Sequence, residues 1–157
     1  MVLGEAVRAA LELRDALATA VEAARGERDL FRSLDARRLL ERASARAEFQ
    51  ARVARLEERL RGALAAAASR LGVAEVTLSG LGEAEPEGAS ALSRAFGEIR
   101  SLSAALGELD RLNHFLAARA LRVVRGYVEA IAPVPAAYDR RGLRALASSS
   151  AVLSSRV

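Results

Sequence analysis

At 157 residues the chain has room for one domain with a sizeable core; its 52% apolar but only 4% aromatic content, drawn mostly from alanine and leucine, argues against a β or α/β core and for closely packed helices. The formal charge of +4 is uneven: Arg111 to Val157 carries eight Arg against Glu129 and Asp139, whereas residues 1 to 110 hold 16 Arg and 18 acids, so the basic surplus belongs to the C-terminal third. The absence of cysteine excludes disulfides, thiolate catalysis and Cys-type metal sites, and fits a cytoplasmic setting.

Glu5, Arg8, Glu12 and Arg14 interrupt the N-terminal stretch where a secretion signal would need an unbroken apolar run. No stretch approaches the ~20 uncharged residues of a membrane span. Leu3, Val7, Ala10, Leu11, Leu17, Val21 and Ala24 recur at three- and four-residue steps and predict a first helix over about 3–32. The reversal is expected at Ser33 to Ala36, with Ser33 or Asp35 capping the next helix. That second helix, over 35–71, carries the clearest stripe: Phe49, Val53, Leu56, Leu60, Leu64, Ala67 and Leu71. Arg37 with Glu41, Glu48 with Arg52 and Glu57 with Arg61 supply i,i+4 ion pairs on its solvated face, and Gly72 is placed to cap its end. Residues 72–89 hold Gly residues, Pro86, Glu83, Glu85 and Glu87, and read as a loop in which Val76, Thr77 and Leu78 could be extended. The helical period returns over 90–132 with Leu92, Phe96, Ile99, Leu102, Leu106, Leu109, Leu116, Val123, Tyr127 and Ile131, a stripe that makes Tyr127 a core residue. Pro133 and Pro135 end it.

These elements predict an all-α fold: a long antiparallel helical hairpin with a third long helix packed along it as a bundle over 1–132, followed by a C-terminal amphipathic tail over 133–157. The tail has few large apolar groups, Tyr138, Leu143, Leu146, Val152 and Leu153. It gains too little from burial to order by itself and is expected to fold against a partner.

Little here suggests catalysis. His114 is the only histidine, with no nucleophile signature or second ligand type around it, and reads as a surface or boundary residue. Glu57 and Glu58 are adjacent on a helix and point to different sides, so they form no acid/base dyad. The phosphate-cradling glycine motifs do not occur. The chain therefore reads as a non-enzyme without metal or cofactor. Asn113, among Leu109, Leu112 and Leu116, is either a polar residue that sets helix register or a functional amide.

In sequence order several short motifs resemble the FlgN-type flagellar export chaperones. They are the reversal Asp29-Leu30-Phe31-Arg32-Ser33-Leu34-Asp35, the helix ending Arg70-Leu71-Gly72, the Thr77-Leu78 pair, Leu112-Asn113-His114-Phe115-Leu116 read with Leu121 to Arg125, and Tyr138-Asp139-Arg140-Arg141-Gly142, similar to that family's Tyr-x-x-x-Gly signature. Asp110 stands where the family often has a first Asn three residues before Asn113. The resemblance implies a cytoplasmic chaperone that binds the C-terminal helical regions of the hook-filament junction proteins FlgK and FlgL and delivers them to the cytosolic domain of the export-gate protein FlhA. By residue match it points to Tyr138, Asp139 and Gly142 for gate docking and to Leu143, Leu146, Val152 and Leu153 for substrate. Two other readings compete: an Arg-rich nucleic-acid-binding protein using Arg140, Arg141, Arg144 and Arg156, and a structural coiled coil dimerising through the second helix. Nucleic acid is not the expected partner, because those arginines lack interleaved aromatics.

Overall fold

The structure, a computed structural model, describes residues 1–131. Helix α1 spans Gly4–Ser33, α2 Ala36–Leu71, α3 Leu78–Ala84 and α4 Pro86–Ile131, and among the described residues there is no strand. The fold is all-α, with long helices packed against one another as the periodicity predicts. Two compact units are distinguished, Met1–Ala120 and Leu121–Val157; of the second, only the last turns of α4 are described.

Local chemistry sets the helix ends. Leu34 adopts a left-handed conformation (φ 51°) that turns the chain out of α1. Asp35 then caps α2 by accepting a hydrogen bond from the Arg38 backbone N–H at 3.0 Å. Ser33, the other candidate cap, instead donates its hydroxyl to the Leu30 carbonyl within α1. At the far end Gly72 takes φ 67°, and the N–H groups of Val73 and Gly72 reach back to the carbonyls of Ala68 (3.0 Å) and Ser69 (3.4 Å). That is the paired closure in which a left-handed glycine satisfies orphan carbonyls. On the solvated face Arg37 pairs with Glu41 at 3.0 Å, while Arg61 turns to Glu58 rather than Glu57.

Cross-chain contacts fix the directions within Met1–Ala120. Arg59, late in α2, meets Glu12 at 2.7 Å, and Arg42, early in α2, meets Glu27 at 3.0 Å, so α1 and α2 are antiparallel. Leu3 lies against Gly88, Arg14 meets Glu98 at 3.2 Å, and Glu27 meets Asn113 at 2.8 Å, so α4 runs parallel to α1. Between them sits a core of Leu3, Leu13, Leu17, Leu60, Leu81 and Leu92, interleaved with alanines of α1 and α4. The small side chains let the backbones approach, and each fully buried leucine contributes about 1.5–3 kcal/mol. The α2 stripe from Phe49 to Leu71 packs on this core.

Two expectations are corrected. The stretch 72–89 is not a continuous loop: Thr77 keeps the extended backbone expected of it (φ −116°, ψ 149°), but Leu78 opens a helix, because Thr77 Oγ1 accepts a hydrogen bond from the Gly80 N–H at 3.1 Å and caps α3, whose Leu81 is buried. Pro86 opens α4 instead of breaking the chain, since at a first helical position its missing N–H costs nothing. Glu85, read as a loop acid, accepts from the backbone N–H groups of Val2 (2.7 Å) and Leu3 (3.3 Å), and so satisfies donors at the α1 N-terminus, where the helix has no cap of its own. The second correction is Tyr127, which continues the stripe yet is 70% exposed. The separation of 86 residues between Glu27 and Asn113 places Ser33, the last residue of α1, level with Arg119. The apolar period of α4 continues past Ala120 with its large side chains exposed.

Candidate functional site

Two features stand out as places where something other than core packing is built: a buried polar cluster joining three helices, and an exposed apolar face near the end of α4.

The cluster centres on Asn113 and Glu27, both buried. Asn113 Nδ2 donates to the Ala24 carbonyl and to Glu27 Oε2, each at 2.8 Å. Glu27 Oε1 lies 3.0 Å from Arg42 Nε and Oε2 lies 3.6 Å from Arg46 Nη1; Arg46 Nη2 also pairs with Asp110. Thus α1 supplies the carboxylate, α2 two guanidinium groups, and α4 the amide and a second carboxylate. The Arg42 approach is a charge contact without hydrogen-bond alignment, and Asn113 Oδ1 is buried without a partner. Such a cluster is costly to break, because removing one member leaves another desolvated and unpaired. Sequence reasoning found Asn113 but missed Glu27. Its signal was a lone acid on the apolar face that Val21 and Ala24 define, one turn after Ala24.

Beside the cluster, α1 and α2 flank an open groove of about 560 Å³ walled by Ala16, Ala20, Ala24, Ala45, Phe49 and Leu106. Its small side chains leave room for apolar groups, while Glu27, Arg46 and Asp110 sit at one end. His114 is exposed, and among the described residues no group of three His, Asp or Glu could hold a metal ion.

On Leu121–Ile131, Leu121, Val123, Val124, Tyr127, Val128 and Ile131 are exposed, from 40% at Val124 to 79% at Ile131. Sequence reasoning placed Val123, Tyr127 and Ile131 on the apolar stripe and took Tyr127 for core, because periodicity gives the face and not its burial. Tyr138, Asp139 and Gly142, together with Leu143, Leu146, Val152 and Leu153, lie outside the described residues. Among the described residues no helix is long and apolar enough to cross a membrane.

Compared with known proteins, the chain finds no match among curated proteins or solved structures. The FlgN family, described as FlgN protein, matches residues 3–145. That match takes in the hairpin, α3, all of α4 and the Tyr138 to Gly142 motif, so the chain belongs to the FlgN family, a family of flagellar export chaperones.

Proposed function

We propose that this chain works in the cytoplasm as an export chaperone for the hook-filament junction proteins FlgK and FlgL, taking their C-terminal helical regions and handing them to the cytosolic domain of the gate protein FlhA. The observation that carries this reading is the family match over residues 3–145, which spans Tyr138, Asp139, Gly142 and Leu143. Those first three residues are assigned to gate docking, and Leu143, Leu146, Val152 and Leu153 to substrate contact. The physics of the segment supports the division. Four large apolar residues spaced through a basic, serine-containing stretch cannot build a core, but they suit laying one side of a helix into an apolar groove on another protein.

Titration calorimetry of the intact chain with a C-terminal FlgK peptide tests the substrate half, and should give a one-to-one complex whose affinity changes little between low and moderate salt. Loss of affinity in proportion to salt, with binding to DNA, would instead favour phosphate contacts by the arginines. For the gate half, Tyr138→Ala should leave peptide binding and helix content intact while weakening binding to the FlhA cytosolic domain at least tenfold. If Tyr138→Ala unfolds the protein, the ring is a packing residue and the docking assignment fails.

A further inference from the structure

Within Met1–Ala120 the three long helices are held together differently at their two ends. The contiguous core takes in Leu3 to Leu17 of α1, Leu60 to Ala68 of α2, Leu81 of α3 and Ala89 to Ala95 of α4. From there toward the reversal at Leu34 the apolar packing thins. In that direction α2 buries no residue before Leu60, and among the described residues α4 buries one after Ala95, which is Asn113. Phe49, Val53, Leu56, Ile99, Leu102 and Leu106 lean on the core but stay half-buried, and α1 lines the groove beside them with small side chains, Ala16, Ala20 and Ala24. The contact that joins all three helices at this end is the polar cluster of Glu27, Arg42, Arg46, Asp110 and Asn113.

We propose that this cluster is a clasp that opens and recloses as a unit, freeing the reversal end of the three helices while the core at the other end stays shut. Such a clasp is costly to break by deletion and easy to open whole. Deleting one member strands a buried charge or amide. Opening instead returns every member to water together, so the desolvation carried by the Glu27 carboxylate and the Asn113 amide is recovered. Glu27 Oε1, Arg42 Nε and Asn113 Oδ1 are buried without a hydrogen-bonding protein partner, and these atoms gain bonds to water without giving any up. Alanines and half-buried side chains oppose the opening with little apolar area. The guanidinium groups of Arg42 and Arg46 are already partly exposed, which lets water enter beside them. Freed segments then unwind, since a helix without its apolar partner is marginal in water. In the open state Phe49, Val53, Leu102 and Leu106 reach the surface while the core keeps the chain folded. The proposal is independent of the assignment of Tyr138 and Leu143.

The chain has no cysteine, so one introduced buried thiol reports opening at one place. Val21→Cys puts it at the clasp end, at a buried residue outside both the core and the groove lining; Ala9→Cys puts it in the core. In the full chain the Val21→Cys thiol should be labelled by a thiol reagent at least about a hundredfold faster than the Ala9→Cys thiol. Its rate should also rise more gently with urea below the unfolding transition, because opening one end exposes less surface. Leu92→Val, which weakens the core, should speed labelling of Ala9→Cys and leave that of Val21→Cys unchanged. Glu27→Leu with Arg42→Met and Asn113→Leu replaces the clasp by apolar side chains, leaves Arg46 with Asp110, and should slow labelling of Val21→Cys at least about tenfold.

Native-state hydrogen exchange of the unaltered chain gives the same reading without a thiol. Amides of Leu106 to Leu109 should exchange through an opening that depends weakly on urea, and those of Leu92 to Ala95 only through global unfolding. Leu106 to Leu109 lie in the middle of α4, where fraying of a helix end does not reach. Equal rates and equal urea dependence at the two ends would overturn the proposal. So would a Leu92→Val variant that speeds both thiols alike, because the chain would then open only as a whole. Faster labelling of Val21→Cys on joint replacement of the clasp would overturn it too, by showing that the polar members hold that end more tightly than an apolar seam does.

Discussion

Asn113 makes two hydrogen bonds from one amide nitrogen, to the Ala24 carbonyl and to Glu27, so its replacement has a calculable sign. Asn113→Leu keeps the branching of the side chain but strips a donor from a buried carboxylate oxygen, and should destabilise the fold by about 1–3 kcal/mol, read as a lower urea midpoint. The partial exposure of Arg42 and Arg46 keeps the loss at this level, because water can reach the guanidinium groups once the network is disturbed. Leu34 works in the opposite direction. A non-glycine residue at φ 51° is held in a conformation that costs about 1–2 kcal/mol, and its side chain is 47% exposed, so little packing is lost on its removal. Leu34→Gly is expected to raise the thermal midpoint, by up to about 1 kcal/mol of stability after the entropy of the unfolded glycine is counted.

At the level of the elements, α4 contains a test of packing against propensity within one helix. A Cβ at Gly88 would stand 2.8 Å from Leu3 Cβ and 2.7 Å from Glu85 Oε1. Leu3 is fully buried and Glu85 Oε2 accepts from the Leu3 backbone, so neither can easily give way. Gly88→Ala should therefore destabilise by about 1–3 kcal/mol despite its better helix propensity. Gly97 has nothing within 4 Å of the same added atom, and Gly97→Ala should stabilise by about 0.5–1 kcal/mol. Opposite signs in two urea titrations would confirm the close seat of the α4 start on the α1 start. Equal signs would refute it.

For the whole molecule, the proposed function implies a separation of tasks. Met1–Ala120 is a compact unit with its own core, while the residues proposed to meet substrate and gate follow Pro133. A chain stopped after Ala132 should keep the helical circular dichroism signal of the hairpin and lose binding of the FlgK C-terminal peptide by at least a hundredfold. Undiminished peptide binding would move the substrate site into the helices, where the alanine-walled groove beside Glu27 offers a concavity.

The sequence by itself determined what depends on neighbours a few residues apart. The stripes of α1, α2 and α4, a cap at Ser33 or Asp35, the stop at Gly72 and the motif order of the FlgN family are all local, because a helix repeats every 3.6 residues and its ends are closed by the next side chain or glycine along. Thr77 and Pro86 were local signals too, but each also suits a turn, and only the burial of Leu81 and the anchoring of Glu85 on α1 decided for helix. Glu27 facing Asn113, Glu85 facing Val2 and Leu3, and the exposure of Tyr127 needed the tertiary structure. The first two join residues more than 80 positions apart, and the third is a matter of burial, which no local pattern contains. Periodicity states which face of a helix is apolar; only tertiary packing states how much of that face is covered.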